Sequence, residues 1–350
     1  MKYQLAIIAS LVAIANASAA GSSVTVYGSI DGGLRNLSNS NAAGDSLLTM
    51  GSNGTFRSNR LGFKGVEDLG NGLAANFVLE SGFNTGTGAL NNTTNILFQR
   101  ESHVGLSLGG QSVDLGNQYT IAYKTALKFD PFLYRYPSIT YALSAAAGTR
   151  KTNDIQYTGK FGDVTAMAEY ALGEIAGSTR DGSTGALGAI YERGPLKLGA
   201  SYTSAKQNVG TATLARYMDY SHYNLGGSYT VGAAQFAAGY VSSVQKTATT
   251  DTTNKWSWAG LNYALTSQLA VTGAWYQNKA FNTAATAAVA AGDAKKNLYM
   301  AGLTYNFSAR TNLYAEVDVN KLDGGYATGG TTKLNQSRQT GMSAGIMHMF

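Results

Sequence analysis

The sequence predicts an all-β protein, a 16-stranded antiparallel transmembrane β-barrel, and three observations carry this prediction. Apolar and polar side chains alternate along many stretches, tight turns alternate with long polar loops, and the 350-residue chain ends on an aromatic residue, Phe350. Strands of about 9 to 11 residues with one apolar and one polar face suit a tilted crossing of hydrocarbon. Because Phe350 closes the alternating stretch 342–350, the chain terminus is itself predicted to be the end of a strand.

Composition narrows the class of protein. The chain has 43 glycines, 22 tyrosines, three prolines and no cysteine, so it is rich in turn-forming and aromatic residues and has no disulfide framework. Hydrophobic residues make up 44% of the chain while its mean hydropathy is -0.12, which indicates apolar residues dispersed in alternation rather than gathered in blocks. A secreted β-sandwich is the alternative that composition alone leaves open.

The N-terminus is predicted to be a secretory signal peptide, residues 1–19. Met1 and Lys2 supply a short basic start, Leu5–Ala15 an apolar run, and Ala17–Ala19 a small-x-small cleavage pattern. The apolar run is too short to span a bilayer as a helix, and no stretch of about 18 or more apolar residues occurs elsewhere. Residues 20–350 carry one pattern throughout and are predicted to form a single barrel domain.

Strict alternation separates a barrel strand from other β structure. Along 312–320, the apolar residues Leu313, Val317 and Val319 fall on one face while polar residues such as Glu316 fall on the other, because successive strand side chains point oppositely. Three further stretches repeat this pattern: 24–34, 73–80 and 164–172. Such strands are predicted to present an apolar face to lipid and a polar face to the barrel interior.

Turns and loops give the strand count. Seven tight turns lie between alternating runs, at 66–72, 108–111, 159–163, 192–195, 231–234, 264–268 and 306–310. Eight longer polar stretches separate these hairpins, at 36–55, 82–96, 118–149, 173–183, 204–219, 242–254, 279–296 and 321–337. An even number of strands, short turns on one side and long loops on the other are typical of bacterial outer-membrane barrels, in which closure leaves no unpaired edge in lipid.

Barrel size indicates a channel. About 8 strands leave an interior filled by side chains, whereas 16 to 18 leave an aqueous passage, so selectivity must come from whatever narrows that passage. The longest loop, 118–149, is predicted to fold inward, since it carries aromatic residues and prolines that a purely solvated loop does not need. The alternative for this loop is an exposed position on the outer surface.

Several motifs also resemble a known family. They are Val24–Asp31, Arg60–Leu73, Leu79–Phe83, Val104–Ser107, Gly116–Thr120 and His348–Phe350. In combination they resemble the Gram-negative general porins of the β-proteobacterial type, and the resemblance covers the whole chain after the predicted signal peptide. It implies a homotrimer in the outer-membrane lipid bilayer, a third extracellular loop folded inward, and a role for Phe350 in the signal read by the barrel-assembly machinery.

The same resemblance suggests which residues line the pore. Arg60 precedes the Leu-Gly-Phe-Lys-Gly run where the family has a lumen-facing arginine, and alternation independently places Arg60 and Lys64 on one face. Arg100 and Arg150 resemble the other members of the family's basic wall. For Arg100, alternation by itself is ambiguous, because this residue shares a phase with Val104.

The long loop 118–149, which the resemblance places opposite the basic wall, carries charges of both signs. The family usually carries acids there, and this sequence has Asp130. Three basic residues lie near it in the loop: Lys124, Lys128 and Arg135. On the polar phase of two strands, Asp31 and Glu80 are further candidates to line the lumen.

Charge predicts a mild preference for anions. The net charge is +6, the sequence pI is about 9.2, and the long loop has more bases than acids, while a narrow passage with low-dielectric walls concentrates the field of its lining charges. Two positions leave the charge pattern open, because Asn117 and Ser29 stand where members of the family have basic residues. The alternative is that most of the positive charge lies on the outer loops and at the membrane rim.

Other functions are poorly supported. Gly105–Gly109 spells the nucleophile elbow of hydrolases, but here it ends a strand and enters a tight hairpin, without the strand-to-helix turn which that chemistry needs. With three histidines and no cysteine, a metal site, a cofactor or catalysis is not expected. Lysines and arginines are scattered without a basic stripe, so nucleic acid is not an expected partner.

Two functional hypotheses remain from the sequence. The first is a porin that lets small hydrophilic solutes and ions diffuse passively. The second is a barrel whose main role is binding, either a substrate-specific channel or a surface adhesin. A sugar-specific channel should show aromatic side chains along the inward phase of neighbouring strands, and here only Tyr27 and Tyr314 fit that pattern.

Overall fold

The computed structural model describes residues 21–51, 54–139, 143, 148–211, 214–286, 288–330 and 333–350. The predicted signal peptide, residues 1–19, lies outside the described residues. No helix within the described ranges combines the length and the apolar character needed to cross a membrane.

The described part of the chain forms one antiparallel sheet of seventeen strands. The strands are β1 (Ser23–Leu37), β2 (Leu47–Met50), β3 (Arg60–Gly70), β4 (Leu73–Gly82), β5 (Glu101–Leu108), β6 (Gln111–Tyr119), β7 (Arg150–Phe161), β8 (Val164–Ala171), β9 (Thr184–Arg193), β10 (Leu196–Asn208), β11 (Tyr217–Val231), β12 (Ala234–Gln245), β13 (Thr252–Ala264), β14 (Leu269–Thr283), β15 (Gly292–Asn306), β16 (Thr311–Gly324) and β17 (Arg338–Met349). Helices α1 (Ile121–Leu127) and α2 (Gly325–Thr328) lie in two of the long connections.

The sheet closes on itself. β1 pairs with β17 in continuous register from Ser29 opposite Met349 to Leu37 opposite Gly341, and the lower part of β1 pairs with β3. The short strand β2 pairs only with the upper end of β1 and belongs to the first long connection. The wall is therefore a closed barrel of 16 strands, as predicted, and the β-sandwich is excluded.

The predicted hairpins are present, and some of the predicted loops are shorter than expected, although the loop predicted at 82–96 extends to the start of β5 at Glu101. β5 ends at Leu108 and β6 begins at Gln111, which matches the predicted turn. At the other end of the barrel the strands run further, because β10 continues to Asn208 where a loop was predicted from Ser204. The part of a strand that extends beyond the lipid is held by backbone hydrogen bonds and needs no apolar outer face. The alternation of apolar and polar residues therefore stops before the strand pairing does.

The two faces of the wall have opposite character. On β1, Val24 and Leu34 are 70% and 51% exposed, whereas Asp31 and Ser29 are almost fully buried. Apolar residues outside and polar residues inside reverse the arrangement of a water-soluble protein. The outer face therefore suits hydrocarbon, and the polar face lines the interior.

Phe350 joins the last strand of the barrel to the first. Its N–H donates to the carbonyl of Gly28 at 3.2 Å, and its own carbonyl accepts from the Gly28 N–H at 3.1 Å. Its ring lies over Gly28, where an added Cβ would come 2.4 Å from the ring carbon Cζ. The last residue thus contributes the final pair of backbone bonds that close the barrel.

Deleting Phe350 should lower the yield of folded barrel, because both hydrogen bonds between Gly28 and Phe350 and the contact of the Phe350 ring with Gly28 disappear. The measurement is the fraction of protein that migrates as the compact, heat-modifiable form on electrophoresis. Channels formed by the truncated chain should conduct as the intact chain does. Phe350→Tyr, which keeps the ring and the backbone, is the matched control, and a normal folding yield for the truncated chain would contradict the expectation.

Candidate functional site

The longest connection begins with a capped helix. Thr120 follows β6 in an extended conformation, and its Oγ1 accepts a hydrogen bond from the N–H of Tyr123 at 3.1 Å, which caps α1. The Glu169 carboxylate on β8 accepts from the N–H of Ile121 at 2.9 Å. A negative group at a helix N-terminus is favourable, so the barrel wall fixes where the helix starts.

Glycines in the wall leave the space into which side chains of this connection pack. A Cβ at Gly199 would lie 2.7 Å from Cε2 of Phe129, and one at Gly226, opposite Gly199 in the β10–β11 register, would lie 2.6 Å from Cδ2 of the same ring. Three more glycines lie under neighbouring residues in the same way: Gly188 under Ile121, Gly260 under Pro131 and Gly302 under Phe132. These glycines share the buried phase of their strands, so residues 121–132 lie against the polar face of the wall.

Polar contacts fix the same segment. The indole N–H of Trp258 donates to the carbonyl of Phe129 at 2.8 Å, and the amide of Asn224 donates to the carbonyl of Ala122 at 2.9 Å. Both side chains are buried. A buried donor left unpaired costs about 1–3 kcal/mol, so these bonds oppose displacement of the segment.

Asp130 holds the end of this segment. Its carboxylate accepts hydrogen bonds from the hydroxyl of Tyr276 and from the N–H groups of Tyr134, at 2.5 Å, and Phe132, at 3.3 Å. Burial raises the pKa of Asp130 to about 6, although these hydrogen bonds act in the opposite direction. The structure thus places Asp130 against the wall as an anchor.

A basic cavity of about 470 Å³ lies on the other side of the segment, between it and strands β3 to β7. Among the residues that the structure describes, six positively charged side chains line it and no carboxylate does. The six are Arg57, Arg60, Arg100, Lys124, Arg135 and Arg150. Five of them were predicted from the sequence.

Glu80 and Tyr119 position three of the arginines. Glu80 is buried and accepts from Nε of Arg100 at 2.6 Å, with Nη1 of Arg60 at 3.5 Å. The hydroxyl of Tyr119 accepts from Arg100 at 2.7 Å and from Arg150 at 2.6 Å. The Arg150 guanidinium also lies 4.3 Å from the centre of the Tyr119 ring. One carboxylate therefore offsets part of the charge of two arginines, and the cavity remains positive.

Arg57 was not singled out by the sequence. Asp31 places it, because its buried carboxylate accepts from the N–H groups of Phe56 at 2.6 Å and Arg57 at 2.7 Å. Burial, followed by the nearby charges of Arg60 and Arg135, lowers the pKa of Arg57 to about 10, so this side chain stays charged at neutral pH. Arg57 precedes β3 in a non-repeating stretch, where alternation gives no signal.

Lys124 and Arg135 bring the charge of the loop to the same cavity. Lys124 donates a hydrogen bond to the side chain of Gln156, and the Arg135 guanidinium lies 4.5 Å from the ring centre of Phe56. Burial lowers the pKa of both groups. The loop thus adds two cations to the four that come from the starts of β3 and β7 and from the stretches just before β3 and β5.

Two of the predicted basic residues, and the three predicted acidic ones, are not among the residues that line this cavity. Lys64 shares the inward phase of β3 with Arg60, but its ammonium group lies 5.4 Å from the ring centre of Tyr27 and does not line the cavity. Lys128 is exposed and forms an ion pair with Glu192 at 3.2 Å. Asp31 and Glu80 are on the inward phase, where they position arginines and tether the chain.

Comparisons with known proteins identify the fold and the family. Residues 6–325 match the model of the family described as Gram-negative porin. The chain is 31% identical to outer membrane porin protein 32 of Delftia acidovorans, over 97% of this chain and 99% of that protein, and 28% identical to an outer membrane porin protein of Bordetella pertussis, over the full length of both. Among solved structures, the anion-selective porin from Comamonas acidovorans superposes with a TM-score of 0.79 at 26% identity, covering 94% of this chain and 100% of that one.

Three findings lead to one assignment. The barrel is closed, with an apolar exterior and a polar interior. The family model matches most of the chain, and the relatives are outer-membrane porins. The chain belongs to the Gram-negative porin family: it is a channel protein that crosses the outer membrane with its strands, and it is not an enzyme.

Proposed function

We propose that this porin passes small hydrophilic solutes and ions by passive diffusion, with a mild preference for anions imposed at a constriction beside residues 120–136. The observation that carries the proposal is the cavity lined by six cations and no carboxylate. Charges that line a narrow aqueous passage between low-dielectric walls act on permeating ions more strongly than they would in open water. The similar structure from Comamonas acidovorans is named an anion-selective porin, which favours the same assignment here.

An inward-folded third loop accounts for the contacts of residues 120–136. Near its start, this segment packs on the inward glycines of β9 and β10. Near its end, the Tyr136 ring lies 5.9 Å from that of Tyr314 on β16 and 5.3 Å from that of Phe56. A segment that contacts strands across half of the wall from the polar side narrows the space left for solutes.

Export, assembly and oligomeric state are part of the same proposal. The protein is proposed to lose residues 1–19 on export, to be recognised through Phe350 by the barrel-assembly machinery, and to form a homotrimer. The resemblance of its motifs to trimeric general porins supports the trimer, and threefold association of identical barrels is physically reasonable. Chemical crosslinking of the native membrane that yields only monomers would argue against it.

Solute block separates this function from a substrate-specific channel. The inward aromatic residues Tyr27 and Tyr314 are engaged with Glu80 and Asp31, at 3.0 and 2.5 Å, and do not form a continuous stacking surface for sugars. Conductance should therefore rise linearly with salt concentration and be insensitive to sugars. Saturation or solute-dependent block would favour the specific channel.

Neutralising Arg57 and Arg135 together, as Arg57→Gln and Arg135→Gln, should weaken the anion preference. A unit charge about 5 Å away in water contributes just under 1 kcal/mol before screening, so we expect the anion-to-cation permeability ratio to fall roughly two- to fourfold. The measurement is the reversal potential of single channels in a planar bilayer under a potassium chloride gradient.

The matched control removes the same charge elsewhere. Lys206→Gln with Lys246→Gln neutralises two lysines that do not line the cavity and whose partners are Asp219 at 2.6 Å and Asp251 at 2.5 Å. This pair should leave the reversal potential nearly unchanged. Cation preference in the unmodified channel, or an equal effect of both pairs, would overturn the proposal.

Gly199→Ala should disturb the constriction through Phe129. The new methyl group would lie 2.7 Å from Cε2 of the Phe129 ring, and overpacking of this kind costs roughly 1–3 kcal/mol, so the segment should shift toward the lumen. We expect lower or noisier single-channel conductance.

A second substitution tests the cause of that effect. Phe129→Ala in the same chain removes the clash and should restore a steady conductance. Gly273→Ala is the control, because its added Cβ would meet no atom closer than the Met300 carbonyl at 3.9 Å. An unchanged conductance in Gly199→Ala would show that this contact does not set the position of the segment.

A further inference from the structure

Three lysines lie side by side on the outer face of the barrel. In the antiparallel register, Lys255 of β13 is opposite Lys279 of β14, and Lys279 is opposite Lys295 of β15. All three are exposed. Directly opposite side chains on neighbouring strands have Cβ atoms about 4.5–5.5 Å apart, and like charges in such pairs are destabilising. The sequence hides this alignment, because Lys279 and Lys295 lie at the two ends of one predicted loop.

The same outer face carries two more bases at the loop end of the barrel. Lys321 of β16 is opposite Arg338 of β17, and both are exposed. They share a phase with the exposed Val317 and Met342, which lie further down the apolar exterior. The basic row is defined here as Lys255, Lys279, Lys295, Lys321 and Arg338.

No ion pair among the described residues neutralises the row. Across the part of the chain that the structure describes, no ion pair includes any of its five members. One carboxylate is in register, Asp323 opposite Lys295, and its Oδ1 accepts a hydrogen bond from the N–H of Gly324 at 2.8 Å. On the β10–β11 side of the barrel, by contrast, Lys206 is paired with Asp219 at 2.6 Å.

Aromatic and apolar side chains lie directly below the row. Trp275 and Tyr299 are each four residues along the strand from Lys279 and Lys295, which is about 14 Å toward the middle of the barrel. The Lys321 ammonium group lies 5.7 Å from the centre of the Tyr299 ring. Tryptophan and tyrosine on the outer face mark the level of lipid headgroups, so the basic row lies at or just above that level.

We propose that the basic row is a binding site for the phosphate groups of a phosphorylated lipid in the outer leaflet. Long loops mark the extracellular side of such barrels, and the row lies at the end from which the long connections leave. A lipid with anionic phosphates and acyl chains matches cations above an apolar, aromatic-bearing surface. Bound phosphates offset the repulsion between Lys255, Lys279 and Lys295. The site faces lipid and is independent of conduction.

The test is lipid binding by the full, folded protein. The variant Lys255→Gln, Lys279→Gln, Lys295→Gln is compared with the unmodified protein by native mass spectrometry in detergent, with bisphosphorylated lipid A as the probe. Each lysine near an anionic lipid surface strengthens binding by about fivefold. The triple variant should therefore bind the lipid with an affinity lower by on the order of 100-fold. The same lipid with its phosphates removed should bind the unmodified protein as weakly as the triple variant binds the intact lipid.

The matched control removes three lysines that already have carboxylate partners. Lys197→Gln, Lys206→Gln, Lys246→Gln changes the net charge equally, and these lysines pair with Glu192, Asp219 and Asp251 at 3.0, 2.6 and 2.5 Å. This variant should bind the lipid as the unmodified protein does. Heat-modifiable mobility and single-channel conductance, measured on both variants, establish that each is a folded channel.

Four lipid-binding results would overturn the inference. They are equal lipid binding by the row variant and the unmodified protein, equal loss in the control variant, equal binding of the dephosphorylated lipid, and competition by millimolar inorganic phosphate that abolishes lipid binding. A change of oligomeric mass in the row variant would assign the row to contact with a second copy of the chain, which also overturns it. In the row variant, lipid binding should change while conductance and ion preference stay constant. This result would separate the lipid site from the proposed pore function.

Discussion

Closure of the sheet is the constraint on which the rest of the structure depends. Lipid offers no hydrogen-bond partner, so each backbone group in the membrane must be paired within the wall. The β1–β17 register, extended by the reciprocal bonds between Gly28 and Phe350, removes the last free edge. Once the sheet closes, strand alternation decides which residues meet lipid and which enclose the aqueous interior. Pore size and polarity are consequences of this backbone requirement.

The closed wall then supplies the scaffold on which the long loop packs. Inward glycines on neighbouring strands leave space for Phe129 and the residues around it, while Trp258 and Asn224 satisfy the loop carbonyls. A loop held by both shape and hydrogen bonds keeps a fixed position against the wall. The buried carboxylate of Asp130 adds a further anchor, and it does so away from the basic cavity.

The acidic and basic side chains of the interior have different roles. Acidic side chains on the inward phase, Glu80 and Asp31, hold arginines and backbone amides in place. The cavity is left with cations alone among its charged lining residues. A scaffold of buried acids supporting a positive surface explains how a chain with 20 acidic residues can present a basic cavity.

The sequence by itself determined the barrel, its strand number, its hairpins and the inward phase of Arg60 and Lys64, because alternation and turn chemistry are local. Only the tertiary structure decided which charges meet. Arg57 joins the cavity through its tether to Asp31, Lys128 pairs with Glu192, and Lys279 aligns with Lys255 and Lys295. These outcomes depend on strand register and on contacts between residues far apart in the chain, which no local pattern encodes.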